Sequence, residues 1–474
     1  MITPDPPDRQ YSTRLRTALV LTGTGTAGAY HAGVLRALHE AGVRIDVVAG
    51  RGIGALGAMF AAVDGGQRLW SSDGLWKDRA IRAGYGWRPP LRIAGWALLA
   101  ACALLAVPLA LLALGVIVAL VGVLLWLVSL TGASAAVTSA FARTLDALFA
   151  PTALPTVIPR LVVFCVVVAI AALAVSLAMA LFRAPLRRRV RHGSFWRLVG
   201  APLTTQTVID CATAELWNLI RGAAPIAPPP RLELGKRYVE LLAENVGQPG
   251  FRELVVLAHD LDARRDVVFA LLGDSHRPRF FARAAREGAR QAEALDLAGV
   301  AREHMFDALA ASLTIPVATD PHLVRFAPEG PWRGETHRLC DRPGSLERLL
   351  EEVAGAGAEQ VIVLSAAPPP ARPHELSSGR ADLRGRAGEQ IGAFEAATVR
   401  DAMERWSGRF AGLFLVRPAH NPLGPLDFEG VFDERSDRPY FVGELVDRGY
   451  EDAYRQFIDP IVAGTSDRIE RVQS

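Results

Sequence analysis

Two glycine clusters near the start of the chain carry its most specific chemical pattern. The first is Gly23-Thr24-Gly25-Thr26-Ala27-Gly28, and the second is Gly50-Arg51-Gly52-Ile53-Gly54. A glycine-rich turn between a strand and a helix directs backbone N–H groups outward at the positive end of the helix, where they hold an anion or an oxyanion. Two chemistries use such a turn. The spacing of Gly23, Gly25 and Gly28 fits G-x-G-x-x-G, a dinucleotide loop, and Arg51 would then suit a 2′-phosphate. Acyl transfer uses the same kind of loop as an oxyanion site, beside a sharp G-x-S-x-G elbow that presents a serine. The second cluster has that glycine spacing with Gly52 at its centre, and no G-x-S-x-G occurs in the sequence.

The elements that would position these clusters are legible around them. Thr17–Thr22 is a short apolar run and predicts a strand. Ala27–Ala41 places Tyr30, Val34, Leu35 and Leu38 at helical spacing. Ile45–Ala49 predicts a second strand, and Ala55–Val63 a second helix. Strand, helix, strand, helix in this order predicts a parallel α/β sheet. Further along, Leu254–His259, Val267–Leu272, Gln360–Leu364 and Gly412–Val416 predict strands. Helices are expected at Phe280–Leu297, Phe306–Ser312, Leu346–Gly355 and Phe394–Arg409. Ala224–Gly235 is a proline-rich connector, Pro368–Gly388 reads as loop, and no internal repeat is present.

Between these parts the composition changes. Ile93–Ala142 contains no charged residue, and Leu161–Phe182 is an apolar run of 22 residues, Ser176 among them, bounded by Arg160 and Arg183. Each run reaches the roughly 20 residues that cross about 30 Å of hydrocarbon. Lys77, Arg79, Arg82, Arg88 and Arg92 precede the first run. Arg183, Arg187, Arg188, Arg189, Arg191 and Arg197 follow the second, while Arg143, Asp146 and Arg160 lie between. The positive-inside rule predicts two crossings, with both flanks cytoplasmic and the connector outside. The first run is longer than one crossing needs. Tilting, a kink at Pro108 and continuation along the interface beyond Gly132 all accommodate the excess.

Composition excludes several classes. Lys and Arg total 52 against 49 Asp and Glu, a net charge of +3, which argues against a nucleic-acid partner. Cys102, Cys165, Cys211 and Cys340 have no metal-ligand spacing, so neither a metal nor a disulfide framework is expected. Met1–Arg16 is a polar tail without the apolar core of a cleavable signal peptide.

Several segments together resemble the patatin-like phospholipases, a family of lipid acyl hydrolases. LTGTGTAGAYHAGVLRALHEAG resembles the family's oxyanion loop and following helix, and IDVVAGRGIGALGA its nucleophile elbow. ELVVLAHDLDARRDVVF, FDALAASLTIPV and ELVDRGYEDAYRQF resemble its third strand and hairpin, the segment before its aspartate, and its C-terminal helix. The resemblance covers residues 17–64 and, loosely, 250–460; residues 65–205 have no counterpart. It implies a mainly parallel sheet between helices, which the two apolar runs interrupt with a two-helix transmembrane insertion. The expected organisation is a tail at 1–16, the first part of the α/β domain at 17–64, and an inserted membrane region at 65–205. Its membrane segments lie at about 93–130 and 161–182, and the rest of the domain occupies 206–474.

The resemblance also implies site residues. Gly23, Thr24, Gly25 and Gly28 correspond to the oxyanion loop. Gly50 and Gly54 correspond to the elbow, and Gly52 stands where the family has its serine. Asp341 is the nearest residue to the position of the family's acid, although it lacks the glycines that normally follow; capping of the helix near Ser345 is the other reading. Thr24 and Ala27 depart from the family's loop. Asp64-Gly65-Gly66 reads as a helix C-cap, His31 as a packing or surface residue, and His259-Asp260 as structural. The Arg183–Arg197 cluster reads as an anchor near anionic headgroups. A glycine keeps the elbow and deletes the nucleophile, which predicts a membrane-anchored, catalytically impaired homologue in lipid metabolism or sensing at a bacterial inner membrane. Membrane lipids are the expected partners, and no cofactor is expected. The alternatives are an active lipid acyl ester hydrolase with a non-standard nucleophile, Thr22, Thr24 and Thr26 being the nearest hydroxyls, and a nucleotide-binding oxidoreductase.

Overall fold

The computed structural model describes residues 11–183, 200–222, 224–286, 293–373 and 379–463. The chain divides into two compact units. One comprises residues 1–86 with 203–474, and the other is Trp87–Pro202.

The first unit is built on a mixed, mainly parallel sheet. Strand β1 (Thr17–Leu21) leads through the first glycine loop into α1 (Ala27–Glu40). Strand β2 (Val47–Arg51) leads through Gly52 into α2 (Ile53–Ala62). These are followed by α3 (Gln67–Trp70) and a 3₁₀ turn at Arg79–Ala83. Residues 65–86, which the sequence groups with the insertion, pack here through the buried Trp76, Ile81 and Tyr85. Asp64 takes the left-handed conformation at φ 52°, and Gly65 N–H donates to the Phe60 carbonyl at 2.8 Å, the pattern that closes a helix C-terminus.

The second unit holds α4 (Pro89–Leu127), α5 (Thr131–Leu148) and α6 (Leu154–Arg183). Pro89–Leu127 and Leu154–Met179 are long and apolar enough to cross a membrane. Helix α4 runs through Pro108 and stops before Ser129, at φ 65°. Helix α5 then folds back beside it: Ser134 Oγ donates to the Gly122 carbonyl at 2.8 Å, and Phe141 lies against Gly115. The first apolar run is thus divided between α4 and α5 by a reversal at Ser129. Apart from Arg183, the Arg183–Arg197 cluster lies outside the described residues.

The first unit resumes with α7 (Gln206–Arg221) and α8 (Arg231–Asn245). Pro230 caps α8, so the proline-rich connector ends five residues earlier than the sequence suggests. Strands β3 (Glu253–Asp260) and β4 (Arg265–Leu271) form the expected hairpin, and α9 (Arg277–Arg286) follows. The helix expected over Phe280–Leu297 is shorter, because Ala294–Asp296 forms β5 beside β4; Leu295 and Leu297 are buried at a period of two. Next come α10 (Met305–Leu313), then β6 (His322–Arg325) and β7 (Thr336–Cys340), an antiparallel hairpin absent from the sequence reading. Helix α11 (Leu346–Gly355) leads to β8 (Gln360–Leu364). Helix α12 (Leu383–Trp406) begins inside the segment read as loop, because the Asp382 carboxylate accepts Gly385 N–H at 2.8 Å and caps it. The fold closes with β9 (Gly412–Val416), the small β10–β11 pair (Val431–Asp433 and Arg438–Tyr440) and α13 (Glu444–Ala453).

The sheet order is β5-β4-β3-β2-β1-β8-β9, with β7 joined to the end of β3. β1 lies parallel between β2 and β8, so the strand order reverses on either side of it. In open α/β sheets, sites form outside the carboxyl ends of strands at this reversal. Each face of the sheet carries its own core. Leu19, Leu21 and Val48 face one, with α1, α2 and α10. Ala18, Val20, Val47 and Ala49 face the other, with α11 and α12.

Candidate functional site

The two glycine turns meet at the carboxyl ends of β1 and β2. Gly52 joins β2 to α2 with φ 54° and ψ −135°, a conformation that glycine adopts without strain and that marks a sharp strand-to-helix elbow. The Gly23 carbonyl oxygen turns toward this elbow and accepts Ile53 N–H at 3.1 Å. A Cβ placed on Gly52 would lie 2.3 Å from that oxygen and 2.9 Å from Asp341 Oδ2. The structure therefore brings together the Gly23–Gly28 loop, Gly52 and Asp341, the residues that the sequence reading groups.

Asp341 follows β7, and its N–H donates to the Thr314 carbonyl at 2.9 Å. It is buried, at 1% exposure, which corrects the alternative of a surface helix cap; Ser345, at the start of α11, makes no side-chain capping bond. Its partner is Arg51. The Arg51 Nη1 group reaches Asp341 Oδ1 and Oδ2 at 3.2 and 3.0 Å, and Nη2 reaches Glu395 Oε1 at 2.7 Å. Thr24 Oγ1 lies 3.1 Å from Glu395 Oε1 and 3.4 Å from Asp341 Oδ2. All four side chains are buried.

One guanidinium faces two carboxylates in a buried setting, and this acts on the protonation of Asp341. Burial is the largest influence on Asp341 and raises its pKa; Arg51 opposes the rise and Glu395 adds to it, leaving the value at about 6. Burial works against the Arg51 charge, but Glu395 and Asp341 outweigh it and raise its pKa. His31, on α1, is buried against the same loop, and neither ring nitrogen has a partner in hydrogen-bond geometry. Burial, and next the Arg51 charge, hold it neutral with a pKa lowered to about 3; the nearby Thr22 backbone opposes this shift.

Glu395 is the site residue that the sequence reading missed. It lies on α12 in the buried stripe Glu395, Val399, Ala402 and Trp406, where a lone acid signals a buried partner. Arg51 continues the alternation of Val47 and Ala49 and so points to the α12 face.

The dinucleotide reading does not fit this geometry. A Cβ at Gly25 would lie 1.8 Å from the Pro425 carbonyl oxygen, and one at Gly28 would lie 2.2 Å from the Trp76 ring. These glycines admit neighbouring chain rather than a pyrophosphate, and Arg51 is committed to two carboxylates. His259 and Asp260 are structural: His259 Nδ1 pairs with Asp266 at 2.9 Å, and Asp260 Oδ1 accepts Asp262 N–H and Ala263 N–H. Among the described residues, no group of three or more His, Cys, Asp or Glu could hold a metal ion.

The family model for patatin-like phospholipases matches residues 19–341, from β1 to the buried aspartate. The chain belongs to this family. Its mainly parallel sheet between helices is the family's α/β fold, and membership makes it a lipid-hydrolase-like protein. The solved structure of VipD from Legionella pneumophila is similar at 13% identity and a TM-score of 0.31, covering 96% of this chain and 70% of that one. No curated protein matches the chain. On the outer side of the family's glycine loop lies a groove of about 1310 Å³, bordered by Thr24, Thr26 and Glu395 and walled by residues 366–372 and 419–425. Gly52 and Asp341 do not line it.

Proposed function

We propose that the chain is a membrane-anchored patatin-like protein whose acyl-hydrolase site has been converted into a structural one, leaving a role in lipid sensing or scaffolding. On this reading Gly52 stands at the nucleophile position, Asp341 at the acid position, and Gly23, Thr24, Gly25 and Gly28 in the oxyanion loop. The observation that carries it is the content of the elbow. The aspartate is within reach of a side chain at position 52, yet the Gly23 carbonyl occupies the space beside it. An oxyanion site needs N–H donors aimed at the reacting oxygen. Here a carbonyl faces inward and takes up Ile53 N–H. Loss of the nucleophile in a concerted hydrolase site costs on the order of 10⁶ in turnover.

The anchoring half of the proposal rests on α4 and α6. Their length and composition suit a bilayer, and Leu109, Leu112, Leu120 and Ile170 are exposed in the chain itself. At 39 residues, α4 is about 58 Å long, against about 30 Å of hydrocarbon. The flanking basic residues favour a cytoplasmic α/β unit at a bacterial inner membrane.

A fluorophosphonate probe tests the chemistry: it should leave the purified chain unlabelled, and strong labelling would overturn the proposal in favour of a hydrolase with another nucleophile. Thr24, whose hydroxyl approaches both carboxylates, is the first residue to substitute in that event. Reporter fusions at the two ends of the chain test the topology; both should report cytoplasm, and opposite sides would exclude two crossings.

A further inference from the structure

The loop between α10 and β6 carries a valine that packing does not account for. Val317 has φ 67° and is 91% exposed, and Ala318 N–H donates to the Pro316 carbonyl at 2.8 Å across it. This is a γ-turn of the rare positive-φ form, with a β-branched residue at its centre. Such strain persists only where the surroundings impose it. Here they do. Thr319 Oγ1 accepts Ile315 N–H at 2.9 Å, Tyr85 Oη donates to the Leu313 carbonyl at 2.6 Å, and Leu203 N–H donates to the Ala318 carbonyl at 2.9 Å. The turn is thus fixed at its base while its apolar tip meets no protein.

Its position suggests what the tip meets. Thr204 N–H donates to the Gly86 carbonyl at 3.0 Å, so the turn is pinned to the two stretches of chain that lead to and from the inserted helices. Gly86 is three residues before the start of α4, a span of at most about 11 Å. The stretch before it carries the exposed Lys77, Arg79 and Arg82, with Asp78 among them and Asp447 3.9 Å from Lys77. Asp320, three residues beyond the tip, has a partner within the chain. A basic stretch and an apolar tip, held where the chain leaves for and returns from the apolar helices, match an anionic lipid surface in charge and polarity.

We propose that the Val317 turn is a membrane-contact tip, held by its strained backbone so that the side chain enters the headgroup–acyl boundary of the bilayer that α4 crosses. The tip sets which end of the α/β unit faces the lipid: the carboxyl end of the sheet, where Thr314 receives the Asp341 N–H. The proposal rests on the membrane reading of α4, and the test separates the two. Val317→Cys, Leu109→Cys on α4 and Ser275→Cys at the amino end of the sheet are made in a full-length chain whose four cysteines are replaced by alanine. Each is labelled with an environment-sensitive fluorophore and reconstituted into phosphatidylethanolamine–phosphatidylglycerol vesicles containing nitroxide lipids. The label at 317 should be blue-shifted and quenched several-fold more than the label at 275. A label at 317 as polar and unquenched as that at 275, with 109 quenched, overturns the tip and leaves the anchoring intact. An unquenched label at 109 overturns the crossing helix and the tip with it.

Discussion

Gly52→Ser is the substitution that most directly probes the site, and its cost follows from the geometry. A residue with a Cβ at φ 54°, ψ −135° carries about 1–3 kcal/mol of backbone strain. Its Cβ would also lie 2.3 Å from the Gly23 carbonyl oxygen, a backbone atom that must move. Moving it breaks the bond from Ile53 N–H, and an unsatisfied buried donor costs about 1–3 kcal/mol. The sum is a destabilisation of about 2–6 kcal/mol. Gly52→Ala carries the same strain without a hydroxyl. The serine variant should therefore be the more stable of the two by about 1 kcal/mol, from one hydrogen bond to Asp341. Thermal unfolding of the detergent-solubilised proteins measures both differences, and fluorophosphonate labelling reports whether a nucleophile has been regained. Labelling should be weak at most, since the loop presents a carbonyl to the oxyanion. If both variants unfold within about 0.5 kcal/mol of wild type, as an unconstrained position would, the Gly23 carbonyl is not seated against the elbow. If Gly52→Ser labels strongly, that carbonyl does not block the site.

Arg51→Met leaves two buried carboxylates without a counter-charge and should destabilise the chain by about 3–5 kcal/mol in the same unfolding assay. Asp341, with its pKa raised from an ordinary 3.8 to about 6, contributes stability that is full below pH 3.8 and lost as pH rises through 6. The stability difference between wild type and Asp341→Asn should thus shift against wild type by about 2.4 kcal/mol between pH 4 and 7. His31 works in the opposite sense: with its pKa lowered to about 3, its contribution is full above pH 6.5 and lost as pH falls below it. His31→Leu should be neutral or stabilising at pH 7 and increasingly stabilising toward pH 4, as read by unfolding across that range. Val317→Gly releases the positive-φ strain and should raise stability in detergent by about 1 kcal/mol.

The first half of the sheet was legible because its signals are local. Thr17–Leu21 and Val47–Arg51 are apolar runs ended by glycine, and Ala27–Glu40 has helical spacing. The β6–β7 hairpin was not, because most of its face is polar: Thr336, His337 and Arg338 carry no apolar alternation, and only tertiary pairing to Asp260 and β3 makes them strand. Helix α12 was hidden at its start by the Gly- and Arg-rich sequence after Asp382, whose carboxylate supplies the cap. At the site, Gly52 and Asp341 were found through the family's ordered segments, not through any signal of their own. Arg51 was misread for a physical reason. A lone cation in a glycine turn looks like a ligand-binding group until its counter-charge is known, and Glu395 lies 344 residues away in the chain.

The same cluster explains why, on the proposed reading, one lost hydroxyl does not leave a repairable enzyme. A dyad acid must accept the serine proton, so its charge must be available. Asp341 has both oxygens on the Arg51 guanidinium, and one positive charge shared by two buried carboxylates leaves the group a proton short of neutrality. Below about pH 6 Asp341 takes up that proton and is a donor rather than a base. The missing Oγ, the inward-facing Gly23 carbonyl and the engaged acid are separate obstacles, each on a different segment. What the arrangement supplies instead is a clasp: Arg51 ties β2 to the end of β7 through Asp341 and to α12 through Glu395, and Thr24 adds the glycine loop. The residues that would move charge in a hydrolase here hold four distant stretches of chain in one place.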